Sequence, residues 1–271
     1  MEKTRIDWCD STWNIVTGCL HGCEYCYASD IAHRFGGWTN SDGDMHHDEI
    51  LKNESKIREL DEPMTVFREG KTIFSGKYQK APYPYDFIPT FHRYRLNDYI
   101  EKKGRNIFVC SMADLFGEWV PDSWIEEVFK ACDKAPQHNY LFLTKNPARY
   151  VELINNTDFF VKTKQNMWFG YSYTGKENKQ WWNPDYNIFV SVEPILGPIE
   201  VPRCKWLITG AETGRRKDKV IPKREWIEHL VYYCGKYNIP IFMKSSLAEI
   251  WGEPLIQEFP EELKRIKEEK G

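Results

Sequence analysis

From about Phe91 onward the chain alternates short apolar runs with amphipathic stretches, and that rhythm narrows the fold more than any other feature. The runs Asn106–Cys110, Tyr140–Thr144, Met167–Ser172, Ile188–Val192, Lys205–Thr209 and Ile239–Met243 read as strands. Between them lie helical patterns: one from Asp122 with Ile125, Val128, Phe129 and Cys132 on one face, one from near Pro147, and one carrying Ile227, Leu230, Val231 and Cys234. A further helix is expected through Leu96, Tyr99 and Ile100, ending at Gly104. Apolar strands separated by helices are those of a parallel sheet with crossover connections, so the fold class is α/β. Upstream, Trp8 and Trp13 flank a turn at Asp10-Ser11-Thr12, and Asn14–Thr17 reads as a first strand, making seven. Tyr27, Ala28, Ile31, Ala32 and Phe35 then recur at helical spacing up to Gly36-Gly37.

The length of 271 residues suits one domain over 1–271. Residues 38–89 fit the rhythm poorly and read as an insertion, a lid or substrate surface, and 247–271 as a C-terminal extension. Within the insertion, Thr65–Phe67 and Thr72–Phe74 suggest a hairpin, and His46-His47 diverge on a helix too far to share a metal. A formal charge of -3 excludes a globally basic nucleic-acid coat. Met1–Arg5 has no apolar signal core, and no run reaches the ~18 apolar residues of a membrane span. Eight cysteines in that setting are expected as reduced thiols in a cytoplasmic protein.

Cys19, Cys23 and Cys26 sit in a compact loop with Gly18 and Gly22. Thiolates at this spacing can wrap one face of an iron–sulfur cluster, and three are one short of the usual four. An iron without a protein ligand is free to bind a substrate or cofactor. A zinc knuckle completed by Cys9, His21 or His33 is the competing reading, although no second Cys-x-x-Cys or spaced His pair follows. Polar residues recur at the carboxyl ends of the strands, where an α/β barrel keeps its chemistry: Cys110, Ser111, Asp114, Thr144, Lys145, Ser172, Ser191, Glu193, Glu212, Lys244 and Ser245. Lys145 suits a carboxylate or phosphate.

The Cys-x-x-x-Cys-x-x-Cys spacing with Tyr25 before the last cysteine resembles the signature of the radical S-adenosylmethionine (SAM) superfamily. With Ser111–Phe116, Leu143–Pro147, Ser191–Pro194 and Gly210–Gly214, the chain is similar to the phage-associated three-cysteine-motif group of that superfamily. The resemblance implies a partial (β/α) TIM-like barrel in which Cys19, Cys23 and Cys26 hold a [4Fe–4S] cluster. SAM would chelate the open iron and, on reduction by a donor such as flavodoxin or ferredoxin, yield a 5′-deoxyadenosyl radical that abstracts a hydrogen atom. It also implies that the Tyr25 backbone lies near the adenine. Ser111-Met112-Ala113-Asp114 stands where many relatives carry Gly-Gly-Glu, so Ser111 and Asp114 are candidates for the SAM amino group. Thr144, Lys145, Ser172, Glu193 and Glu212 are candidates for ribose, carboxylate or substrate.

Two further expectations concern the substrate. Cys110 at a strand end would return a hydrogen atom to a product radical, unless it is a buried core thiol. Arg215, Arg216, Lys217 and Lys219 form a basic loop that would hold phosphates of a nucleotide or nucleic acid, unless it is only a solvated loop. The competing functions are an iron–sulfur protein that moves electrons or senses redox state without SAM turnover, and a zinc-binding interaction module.

Overall fold

The computed structural model describes residues 4–36, 56–68, 76–156, 165–175, 180–214 and 216–264. In chain order the elements are β1 (Ser11–Trp13), β2 (Val16–Thr17), α1 (Tyr27–Phe35), β3 (Arg58–Leu60), β4 (Thr65–Arg68), β5 (Lys77–Lys80), β6 (Thr90–His92), β7 (Asn106–Val109) and α2 (Asp122–Lys134). They continue with β8 (Asn139–Thr144), α3 (Ala148–Asn156), β9 (Met167–Ser172), β10 (Asn187–Val192), β11 (Trp206–Thr209), α4 (Arg224–Tyr237), β12 (Ile241–Met243) and α5 (Ala248–Trp251).

Seven strands, β1-β7-β8-β9-β10-β11-β12, lie side by side in a parallel sheet curled into a half-barrel, as the alternating pattern predicts. The register sets Thr144 beside Tyr171, Ser172 beside Ser191 and Val192 beside Thr209, which brings the carboxyl ends level. Side chains alternate between two cores. Phe108, Leu141, Trp168, Phe189, Trp206 and Phe242 fill the concave side, while Ile107, Phe142, Phe169, Val190, Leu207 and Ile241 belong to the cluster that includes Val128 and Phe129 of α2 and Ile227 and Leu230 of α4. Gly170 belongs to the concave set because a Cβ there would fall 2.2 Å from the Phe189 ring. A ring of large aromatics thus plugs the floor, and burying side chains of this size stabilises by about 1.5–3 kcal/mol each.

The open edges of the half-barrel are covered by the ends of the chain. Asp7 accepts from the Ser245 amide across the gap beyond β12. Residues after α5 pair with β12 through Met243 N to Ile256 O and Glu258 N to Ile241 O, which shields that edge. Leu263 then enters the floor, where its carbonyl accepts from Asn106 Nδ2. The described part of the 247–271 extension is therefore part of the barrel's closure.

Three local expectations are corrected. The first barrel strand is Ser11–Trp13, where a turn was expected, and Val16–Thr17 joins a separate sheet of order β2-β6-β3. Asn14 breaks the run, because its Oδ1 accepts from Ser111 Oγ and the Met112 amide and so pins the chain across the end of β7. No α-helix runs through Leu96–Ile100. Bonds of i→i+3 type, Leu96 to Arg93 and Lys102 to Tyr99 among them, make a series of tight turns. Finally, Thr65–Arg68 pairs with Lys77–Lys80, and the expected partner Thr72–Phe74 lies outside the described residues, as do His46 and His47.

β6 anchors the small sheet through a fully buried histidine. His92 Nε2 lies 2.8 Å from Thr17 Oγ1 and its Nδ1 3.3 Å from the Tyr94 hydroxyl. Burial, helped by the nearby Arg95 charge, drops its pKa from 6.5 to about 3. Between those values the unfolded chain binds a proton that the folded chain excludes, so stability falls as pH drops through this window. The slope from this ring reaches ~1.4 kcal/mol per pH unit. Unfolding free energies of wild type and His92→Gln, measured by denaturant titration from pH 3.5 to 7, should differ in slope by roughly this amount. Equal slopes would show that His92 is not held neutral.

Candidate functional site

The cysteine loop hangs between β2 and α1 at the carboxyl ends of the barrel strands. Gly18 starts it with φ +83°, its amide donating to the Met112 carbonyl, and a Cβ there would lie 2.4 Å from the Ile88 backbone. The Cys19 amide donates to the Phe87 carbonyl, so the end of the insertion backs the loop. Gly22 turns the chain with φ +64° in open space. Cys26 closes the loop as the N-cap of α1, its Sγ accepting from the Ser29 amide at 3.4 Å. That puts its sulfur at the N-terminus of α1, facing the amide hydrogens of the first turn.

Cys19, Cys23 and Cys26 are partly buried and line one cavity with Tyr25, Ser111, Asp114, Thr144, Lys145, Ser172, Glu193 and Glu212. Eleven residues singled out from the sequence therefore meet in one place, because the parallel strands deliver their ends to one side. Cys110 does not. The strand alternation would aim it inward with Phe108, but its φ of +58° turns it into the outer core, where it is 2% exposed. Burial pushes its thiol up to about 12, so the expectation of a mouth-facing hydrogen donor is corrected to a core thiol.

Asp114 is the junction of the site. Its Oδ1 accepts from the Phe116 amide, and its Oδ2 contacts Thr144 Oγ1, the Lys145 amide and His21 Nε2 at 3.0, 2.8 and 2.7 Å. Three of those four contacts crowd Oδ2, which leaves it no room for a further donor. The residue expected to receive an ammonium is committed to β7, β8 and the cysteine loop, leaving Ser111 as the other candidate. His21 also meets the edge of Trp119 at a centroid distance of 4.8 Å. On the far side, Arg216 forks onto Glu212 and reaches Glu24 in the cysteine loop at 3.4 Å. The Arg216 guanidinium holds the Glu212 carboxyl below the usual range. The basic loop is thus corrected in part: Arg216 is spent on carboxylates, Lys217 and Lys219 are exposed outside the cavity lining, and Arg215 lies outside the described residues.

Lys145 is different. Its Nζ sits 5.2 Å from the centre of the Tyr25 ring and 3.5 Å from that hydroxyl, and among the described residues it forms no ion pair. Burial works against its charge, but Tyr25 and Cys23 outweigh that and raise its pKa. A partly buried cation beside the cysteines is placed to meet an anionic group. Burial likewise pushes the Cys19 thiol up to about 12, with Asp114 and the other two cysteines adding to the rise, so ionising Cys19 calls for a nearby positive charge such as a metal's.

By the chemistry of its donors the loop suits a [4Fe–4S] cluster. It offers three soft sulfurs on a cavity wall, and the other cysteines, Cys9, Cys110, Cys132, Cys204 and Cys234, are buried outside the lining. Among the described residues no three His, Cys, Asp or Glu, the loop cysteines included, are drawn together around a single metal ion. Of the zinc partners weighed from sequence, His21 is engaged by Asp114, His33 by Asp86 at 2.8 Å, and Cys9 sits in the barrel floor. Sequence reasoning passed over His21 as a tether and noted Lys244 as a strand-end residue without giving it a role, although it lines the same cavity.

The two loop glycines give a test. Gly18→Ala meets both a positive φ and the Ile88 backbone, and should destabilise by about 3 kcal/mol or more, whereas Gly22→Ala should cost about 1 kcal/mol. Denaturant unfolding of the two variants measures the difference, and equal losses would contradict the close approach at Gly18.

No curated protein and no solved structure matches the chain. No helix of the described residues is long and apolar enough to cross a membrane. A family model described as "Protein of unknown function" matches residues 3–265, and the chain belongs to that family, DUF5131.

Proposed function

We propose that the chain is a radical SAM enzyme. The observation that carries this reading is a trio of cysteines, with no fourth, lining a cavity at the carboxyl ends of a parallel half-barrel. Cys19, Cys23 and Cys26 would hold a [4Fe–4S] cluster, and a set of three protein sulfurs would leave the amino and carboxylate groups of SAM a place on it. Such a cluster would supply one-electron reductive cleavage of SAM, with the electron coming from a flavodoxin- or ferredoxin-type donor, and so hydrogen-atom abstraction from the substrate. The chain's own residues orient and shield that chemistry.

Lys145 supplies the counter-charge for the SAM carboxylate, as the one cavity cation beside the cysteines that lacks an ion pair among the described residues. Ser111 after β7 and Ser172 at the end of β9 offer hydroxyls on the cavity wall for the amino group and the ribose. Asp114 and Thr144 fix the geometry of the loop from the cavity wall. Phe87, Phe108 and Leu143 line an apolar part of the wall, which excludes water from a reactive radical. The substrate is nucleotide- or nucleic-acid-related on this reading.

Anaerobic reconstitution with iron and sulfide, reduction in the presence of SAM and assay for 5′-deoxyadenosine test the proposal. Wild type should form it and Cys23→Ala should not. Zinc in place of iron, or no SAM cleavage by a fully loaded cluster, would overturn it. Lys145→Met should keep its iron content yet weaken SAM binding about tenfold or more, the scale of a lost charge-assisted hydrogen bond. Unchanged SAM affinity would remove Lys145 from the ligand's contacts.

A further inference from the structure

At the wall formed by the last three strands, Glu193 follows β10, Gly210 follows β11 and Lys244 follows β12. Glu193 and Lys244 stand two strands apart, a span of ~9.6 Å at the usual strand spacing. Their side chains nevertheless meet, Lys244 Nζ on Glu193 Oε1. Gly210 keeps the space beneath the pair clear, since a Cβ there would crowd Lys244 Cδ at 3.1 Å and come into contact with Glu193 Cδ at 3.4 Å. The pair therefore bridges over a strand end kept bare for it. Ser246 Oγ, bonded to the Ala211 amide, braces the same spot.

Both partners are half-buried and line the cavity. The contact uses one of three ammonium hydrogens and one carboxylate oxygen, and among the described residues no other side chain takes up the remainder. Two N–H donors of Lys244 and the Oε2 acceptor of Glu193 are left side by side. The pair is neutral overall, so an ionic ligand that captured one partner would strand the other as an uncompensated charge. A neutral group presenting a donor next to an acceptor satisfies both and changes no charge. Trp8, Phe87 and Phe108 in the same lining offer aromatic surface to a flat ring.

From this geometry we infer that Glu193 and Lys244 recognise the substrate by the lactam edge of a planar heterocycle, the N–H and adjacent carbonyl of a uracil- or hypoxanthine-type base. Glu193 accepts from the ring N–H while Lys244 donates to the carbonyl oxygen. This inference rests on the radical SAM reading for the chemistry that follows, but the recognition itself is a binding event that needs no turnover.

The test is nucleoside binding by the full-length, iron- and sulfide-loaded protein, with uridine and inosine each compared with its ring-N-methylated form, 3-methyluridine and 1-methylinosine. Methylation removes only the ring donor. At least one parent nucleoside should bind with a Kd about tenfold or more below that of its methylated form, and below those of benzoate and benzamidine. In Glu193→Gln and Lys244→Met the preference for the parent should collapse toward unity. The ratio is internal to each variant, so a loss of folded protein does not imitate it. Gly210→Ala, which displaces the pair without altering its chemistry, should weaken the parent nucleoside in the same direction. Equal binding of parent and methylated nucleosides, tighter binding of either ion, a preference that survives both substitutions, or no nucleoside binding at millimolar concentration would each overturn the inference. Iron and sulfide content is read separately, so a preparation that cannot form a cluster counts against the radical reading and leaves the recognition result standing on its own.

Discussion

The Asp114 carboxylate joins three parts of the molecule that have no covalent reason to be neighbours. It gathers an amide from its own turn, a hydroxyl and an amide from the end of β8, and the imidazole of His21 from the middle of the cysteine loop. With only 6% of its side chain exposed, it would be costly to leave any of these contacts unmade. A short loop rich in glycine has little stiffness of its own. Its shape is imposed by Asp114 on one side, by Arg216 through Glu24 on the other, and by the Ile88 backbone beneath Gly18. The Arg216 contact to Glu24 is a weak surface tie, whereas the Asp114 contacts are buried, so the loop is held firmly at the β7–β8 side and loosely at the β11 side.

The barrel beneath converts a chain pattern into a direction. Parallel pairing sends every strand the same way, and pleating separates an aromatic floor from a polar rim. Along β10, for example, Phe189 faces the floor, and Ser191 and Glu193 lie beyond it at the cavity. Small residues are placed where bulk would spoil this layering, Gly170 under the Phe189 ring and Gly210 under the Glu193–Lys244 contact. The stable floor and the chemically equipped rim are built from the same strands.

Much of this was legible from residue order. The apolar runs predicted all six later barrel strands to within two residues at either end, and the carboxyl-end rule gathered Ser111, Lys145, Ser172, Glu193 and Glu212 to one cavity. What escaped depends on contacts distant in sequence. Asn14 interrupts an apparent strand only because the end of β7 offers Ser111 and Met112 to its side chain. Cys110 leaves the mouth because of a single left-handed backbone angle, which no composition or period announces. Asp114 and Arg216 looked free to meet a ligand, yet their charges are consumed by partners 93 residues before and 4 residues before, respectively. Lys244 was visible as a strand-end residue, but its meeting with Glu193 runs over a glycine of the strand between them.

The central claim is one coordination position left open on a metal centre held by three sulfurs. Mössbauer spectroscopy of the protein loaded with 57Fe, recorded with and without SAM, addresses it most directly. The account predicts a four-iron cluster in which SAM alters the signal of one iron and leaves the other three unchanged. A spectrum indifferent to SAM, or iron bound in any form other than such a cluster, would contradict it.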